Sequence, residues 1–335
     1  MSSNLASRLS IPCARSLSWQ RLEHESHREC GIFRAAIFEG AYKGWPNISH
    51  DVHKLHKVEF TMIRKCLFPV AGYGTRFLPA TKSMPKEMLP VVNKPLVQYG
   101  VEEALEAGLT EIGFVTGRGK RAIADHFDVS YELEHQIAGS SKEQYLSSIR
   151  DVMAHGSFSF TRQSEMRGLG DAILNGRRLI GDEPFGVVLS DDLCVADEGV
   201  LSQMVKLYNQ FRCSIVAVQE VPEADISKFG VIAGEQIKDG IYQVNEMVEK
   251  PAPEDAPSNL AIIGRYILTP DIFEIIKNTP PGKNNEVQLT DALMTQAKNG
   301  CVLAYKFKGQ RFDCGSVSGF VDATNFVYQN IYSEI

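Results

Sequence analysis

Apolar and polar positions along most of this chain fall into short strand-length runs separated by stretches with helical spacing. Lys65–Val70 is an apolar strand, residues 97–107 form an amphipathic helix, Glu111–Thr116 is a second strand, and residues 185–189 are another short apolar run. This alternation predicts an α/β fold, a three-layer sandwich in which helices cover both faces of a mainly parallel sheet. In such sheets ligands bind at the carboxyl ends of the strands. Residues 128–159 are more charged, and their spacing around Tyr131 and Lys142 predicts a helical excursion on the rim, serving as a lid or a subunit contact. Strands return at residues 214–219, 230–233 and Leu260–Leu268, and the tail from Asp271 is mostly helical around a strand at 302–307. Pro251 to Pro257 is the clearest loop, and there is no internal repeat or low-complexity segment.

The first 61 residues depart from this pattern. They hold both tryptophans, Trp19 and Trp45, and five of the eight histidines, without a repeating apolar period. The expected organisation is an N-terminal extension over 1–61, non-catalytic or translated from a misassigned start, followed by a catalytic domain over 62–335. Two other readings stand beside it. Residues 1–22 carry Arg8, Arg15 and Arg21, several serines and no acid, as organellar transit peptides do. His24-x-x-His27-x-x-Cys30 and His50-x-x-His53-x-x-His56 have short ligand-like spacing but lack the paired cysteines usual in zinc sites.

Composition narrows the class. A chain of 335 residues, 44% hydrophobic and 23% charged, can bury a substantial core. Its net charge of −6 advertises no nucleic-acid groove, although local cation clusters can still hold a small anion. No apolar stretch is long enough for a membrane span and no secretory signal is evident. Seven scattered cysteines, never spaced Cys-x-x-Cys, predict reduced thiols and a cytoplasmic protein.

The candidate chemistry begins where the first strand ends. Gly72 and Gly74 let backbone N–H groups face an anion, and Arg76, Lys82 and Lys86 follow with fixed positive charge, the makings of a triphosphate loop. It is not a dinucleotide fingerprint, because Phe77 stands at the third glycine position and prolines follow at 79 and 85. Nothing fits a Walker loop, and Gly117-Arg-Gly119-Lys-Arg121 reads as a polar strand-to-helix turn. Asp191 ends an apolar run where a strand would deliver a carboxylate to the ligand edge.

The run from Gly72 to Pro95 resembles the signature of the bacterial UTP–glucose-1-phosphate uridylyltransferases, or UDP-glucose pyrophosphorylases, within the sugar-nucleotidyltransferase family. The likeness continues, in family order, through Gly168-Leu-Gly170, Leu189-Ser-Asp191-Asp192, Phe229-Gly-Val231, Val248-Glu-Lys-Pro251, Ala256 to Tyr266, Gln288-Leu-Thr-Asp291 and Asp313-Cys-Gly315. The resemblance implies a Rossmann-like, GT-A-like sandwich with a mixed, mainly parallel sheet. It also implies magnesium-dependent transfer of UMP from UTP to glucose 1-phosphate by direct attack on the α-phosphorus.

Arg76, Lys86 and Asp191 then become the catalytic residues, and Asp191 and Asp313 the ligands of Mg2+. Ser190 replaces the commoner proline and an extra Asp192 follows, which leaves open which aspartate points inward. The nucleotide falls to Ala71, Gly72, Gly74, Gln163 and Gly168, with the Gln163 amide able to meet either edge of uracil. Gly230, Glu249 and Lys250 fall to the sugar phosphate, with Gly264 and Tyr266 lining it. Relatives imply a homodimer or homotetramer, with no nucleic acid and no membrane as partner. The alternatives are another nucleotide or hexose 1-phosphate, a non-catalytic nucleotide-sugar sensor, or a metal-dependent glycosyltransferase. The last has no need of the Gly-x-Gly-Thr-Arg loop.

Overall fold

The computed structural model describes residues 62–332. The two histidine patterns, the segment 1–22 and the boundary at 61 lie outside the described residues. The strands are β1 (Lys65–Val70), β2 (Pro90–Val91), β3 (Lys94–Pro95), β4 (Glu111–Thr116), β5 (Ser157–Arg162), β6 (Phe185–Val188) and β7 (Asp192–Val195). They continue as β8 (Ser214–Glu220), β9 (Gly230–Lys238), β10 (Ile241–Glu249), β11 (Leu260–Leu268), β12 (Val302–Lys306) and β13 (Gln310–Asp313). The main helices are α1 (Leu96–Glu106), α2 (Arg121–His126), α3 (Tyr131–Ile137), α4 (Ser147–His155) and α5 (Leu169–Asn175). After them come α6 (Arg177–Ile180), α7 (Val200–Phe211), α8 (Ile272–Asn278), α9 (Leu289–Asn299) and α10 (Val317–Val327).

Nine strands form one mixed sheet in the order β5-β4-β1-β6-β11-β8-β12-β10-β9. The half predicted from strand–helix alternation is parallel: β5, β4, β1 and β6 run the same way. Beyond it, β11 is antiparallel to β6 and β8, β12 is parallel to β8, and β10 is antiparallel to β12 and β9. Pro69 lacks a backbone donor, and β6 pairs with β1 only from Lys65 to Leu67, so this proline sits where β1 has a single neighbour.

Successive residues of β1 serve opposite cores, as the strand period requires. Phe68 packs with Phe114, Val97, Val101 and Met204 under α1 and α7. Leu67 packs with Val115, Ile173, Phe273 and Leu293 under α5, α8 and α9. A smaller cluster of Val91, Leu96, Leu193, Phe312 and Val327 seats α10 on the β7–β13 ladder. α1 buries Leu96, Val97, Gly100, Val101 and Ala104 on one face and ends before Gly108, which takes φ 83°.

The rim segment corrects one expectation. Residues 131–155 are helical as predicted, but Ser157 opens the edge strand β5, which pairs in parallel with β4 through Arg162. Ser-Phe-Ser-Phe has the period of a strand, and Phe158 and Phe160 stack on Phe127 and Phe114. β9 also runs beyond residue 233, paired with β10, which the patterning did not predict.

Candidate active site

The carboxyl ends of β1, β4, β5 and β6 open on one side, and the loop 71–89 crosses them. Ala71 is buried and its carbonyl would lie 2.9 Å from a Cβ on Gly117, so the turn after β4 packs directly against the start of this loop. Gly72 is open, with nothing near its Cβ direction. Gly74 takes φ 67°, accepts a hydrogen bond from Thr81 Oγ1 at 2.7 Å, and leaves room for Lys86, whose Cβ a side chain here would meet at 2.9 Å.

Lys86 reaches Asp191, with Nζ donating to Oδ2 at 2.5 Å. Asp191 still keeps 31% of its side-chain surface exposed, so the pair faces the opening of the cleft. Burial favours the neutral acid at Asp191, but Lys86, and Arg311 farther off, outweigh it and hold the carboxyl below the ordinary carboxylate range. Burial likewise favours neutral Lys86, and Asp191 outweighs it to raise the ammonium pKa.

Arg76 and Asp313 converge on the same place. A methyl group on Gly315 would lie 3.0 Å from Asp313 Oδ1, 3.1 Å from Asp191 Oδ2 and 3.4 Å from Arg76 Nη1. Arg76 also donates to the Gly315 carbonyl at 3.2 Å. Two carboxylates facing one small volume fit a hard divalent cation that takes one or two protein oxygens and completes its shell with phosphate and water. Among the described residues no cluster of three or more acidic, His or Cys groups competes as a metal site.

The extra aspartate points elsewhere. Asp192 Oδ2 accepts the Gly264 N–H at 2.8 Å, and Oδ1 pairs with Arg311 inside the protein. Burial raises its pKa against Arg311, with the Asp191 charge adding to the rise. Gly264 is glycine because a Cβ there would meet Leu189 at 2.5 Å and Asp192 at 2.6 Å. Tyr266 is buried, and burial together with the charges of Glu249, Asp192 and Asp191 pushes its phenol up.

Gln163 lies just past β5, buried, with its N–H bonded to Thr116. Its Nε2 donates to Asp171 Oδ2 at 2.7 Å and to the Gly168 carbonyl at 3.2 Å. The side chain therefore offers its carbonyl oxygen, an acceptor, rather than either edge. Gly168, φ 95°, caps α5 against Glu286 and Val287.

On the sheet's other half Gly230 pairs with Glu249 across β9 and β10. A Cβ on Gly230 would crowd Thr290 Oγ1 and Glu249 Oε2, which share a 2.6 Å hydrogen bond donated by the threonine. Lys250, φ 48°, pairs with Glu249 at 3.2 Å and remains partly exposed. Lys82 is exposed on the turn Ala80–Lys82.

Besides Asp192–Arg311, sequence reasoning missed two buried ion pairs beside this site. Glu87, next to Lys86, pairs with Lys120 at 2.6 Å, with side-chain exposures of 2% and 6%. Lys120 belongs to the turn read as merely polar, and the turn is as read, but its lysine anchors the loop 71–89 through Glu87. Glu103 on α1 pairs with Arg265 on β11 at 2.8 Å. Cys66, Cys194 and Cys314 are reduced, and burial pushes the thiols of Cys194 and Cys314 up to about 12. No helix among the described residues is long and apolar enough to cross a membrane.

The family model described as nucleotidyl transferase matches residues 69–330. A UTP--glucose-1-phosphate uridylyltransferase of Pseudomonas aeruginosa is 72% identical over 273 residues, covering 81% of this chain and 98% of that protein. A crystal structure of apo UDP-glucose pyrophosphorylase superposes with TM-score 0.78 at 60% identity, over 80% of this chain and 99% of the other. A structure of UDP-glucose pyrophosphorylase complexed with UDP-glucose does so with TM-score 0.75 at 58% identity, with the same coverage.

Proposed function

The chain belongs to the nucleotidyl transferase family, and on that premise we propose that it transfers UMP from UTP to glucose 1-phosphate, giving UDP-glucose and pyrophosphate. The observation that carries the site assignment is the convergence of Arg76, Lys86, Asp191 and Asp313 at the carboxyl edge of the parallel half-sheet.

Both reactants are anions, so attack of a phosphate oxygen on the α-phosphorus needs charge neutralisation and in-line placement more than covalent help. Ala71, Gly72 and Gly74 give backbone approach to the nucleotide, and Arg76 faces the triphosphate. Gln163 Oε1 accepts from uracil N3–H, while Gly168 keeps α5 close to the base. Lys86 shifts from Asp191 to the α-phosphate and neutralises charge that builds there during attack. A magnesium ion held by Asp191 and Asp313 would neutralise phosphate charge and favour departure of pyrophosphate. Glu249, fixed by Thr290, accepts from sugar hydroxyls, Gly230 leaves space for the ring, and Lys250 meets the sugar phosphate. The α-phosphorus–oxygen bond to pyrophosphate breaks as the bond to the sugar phosphate forms, and no enzyme-bound intermediate is needed.

The activity resides in residues 62–335, without residues 1–61, and the enzyme works in the cytoplasm as a homo-oligomer. Support for assembly is a row of exposed apolar residues, Val317, Val321, Tyr328 and Ile331, at helical spacing on α10 and the turn that continues it. The test is pyrophosphate release by the full chain and by residues 62–335, with UTP or dTTP against glucose 1-phosphate, with and without magnesium. Magnesium-dependent turnover preferring UTP in both proteins is expected. Tight UDP-glucose binding without turnover would make the protein a sensor.

A further inference from the structure

The turn that carries Asp191 leaves β6 at Val188 and exposes main-chain carbonyls on either side of the aspartate. Arg265, on the neighbouring strand β11, stands opposite Val188 and is 1% exposed. Its Nη1 donates to the carbonyls of Leu189 (3.2 Å) and Gly264 (3.1 Å), and its Nη2 to the carbonyl of Asp192 (2.9 Å). The remaining donors go to Glu103: Nε at 3.1 Å to both oxygens and Nη2 at 2.8 Å. All five guanidinium N–H groups are thereby used, a fork that lysine cannot reproduce. Glu103 Oε1 also accepts the Leu201 N–H at 3.1 Å, which fixes the pair to the start of α7.

Residues 189 and 192 bracket Asp191, and the Asp192 carboxylate is itself tied to Gly264 and Arg311. Main chain on both sides of Asp191 is therefore immobilised, while its carboxylate faces the cleft. We propose that Arg265, oriented by Glu103, is a positioning residue that sets Asp191 opposite Asp313 and so sets the cleft's affinity for its divalent cation. This rests on the reading of Asp191 and Asp313 as the cation's ligands.

A purely structural ion pair makes a different prediction. Replacing a buried pair by apolar residues is often neutral for stability, so Glu103→Leu with Arg265→Met tests the two roles apart. The double change removes the Arg265 donors from the Leu189 and Asp192 carbonyls and leaves Leu189 with only the Asp192 N–H at 3.1 Å. Mn2+ binding by the full chain with UTP present is read by electron paramagnetic resonance, alongside circular dichroism and thermal melting. The expected result is a cooperative fold with Mn2+ affinity weakened about 10-fold or more, the usual scale for outer-shell partners, and an unchanged KM for glucose 1-phosphate. Wild-type Mn2+ affinity in the folded double variant would overturn the proposal. Should that variant not fold, Arg265→Lys, which keeps the charge for Glu103 and loses the fork, is read by the same criterion. Asp191→Asn is the control: loss of the Mn2+ site supports the ligand assignment, and wild-type binding overturns that assignment and this proposal with it.

Discussion

Lys120→Met should destabilise the loop 71–89 more than substitution of an exposed residue among those described. Lys120 and Glu87 meet at 2.6 Å with almost no exposure, so their gross attraction is about 6 kcal/mol at an effective dielectric of about 20. Removing the cation leaves a buried carboxylate unpaired, which typically costs about 3–5 kcal/mol. At about 2–4 °C per kcal/mol for a domain of this size, the melting temperature should fall by roughly 10 °C. The pH dependence has a definite sign. Burial already raises the Glu87 pKa against the pull of Lys120 and Lys86, and losing Lys120 raises it further. A group with a raised folded pKa stabilises the fold below its unfolded pKa, about 4.3, and that stability is lost as pH rises through the folded value. The deficit of the variant should therefore be smaller at pH 5 than at pH 8, followed by urea denaturation at both. Glu87→Gln with Lys120→Met, which removes both charges, should recover most of the loss. A Lys120→Met protein that melts within a degree or two of wild type, or is worse in acid, would refute the reasoning.

Three further outcomes are expected. Gly74→Ala forces a side chain into φ 67° and against Lys86 Cβ, costing about 1–2 kcal/mol for the left-handed backbone and lowering kcat through a displaced Lys86, measured by melting and steady-state rates. Gln163→Leu removes the acceptor proposed to meet uracil and leaves Asp171 without its 2.7 Å donor, so KM for UTP should rise about tenfold while KM for glucose 1-phosphate stays within a factor of two. Val321→Glu places a charge in the exposed apolar row on α10 and should shift the light-scattering mass toward the monomer with the melting temperature little changed.

Much of the architecture was legible because local pattern and tertiary environment agree. Lys65–Val70, Glu111–Thr116 and Leu260–Leu268 are strands with their predicted bounds, since each is dominated by apolar residues and largely buried, with a charged residue at the first position of the first two. β10 was not, because its burial alternates irregularly across two bulged registers, and Tyr-Gln-Val-Asn-Glu reads as polar surface. β5 was hidden in a charged neighbourhood although its own Ser-Phe-Ser-Phe period is that of a strand. At the site, the order of motifs brought Arg76, Lys86, Asp191 and Asp313 forward together. What separates Asp191 from Asp192 is Arg311, 119 residues away from the latter, and no local pattern signals that contact. The same holds for Lys120 under Glu87, 33 residues apart, and for Arg265 against Glu103, 162 residues apart. Ion pairs of this kind are made by topology, so their chemistry shows in the sequence only as ordinary charged residues.

The most direct measurement is pyrophosphate release from UTP and glucose 1-phosphate by wild type, Lys86→Met and Asp191→Asn, with UTP binding by each followed calorimetrically. Both variants should bind UTP and lose kcat by about 100-fold or more, the scale for removing a group that stabilises transition-state charge. Turnover within a few-fold of wild type in either variant would contradict the assignment of the chemistry to this pair.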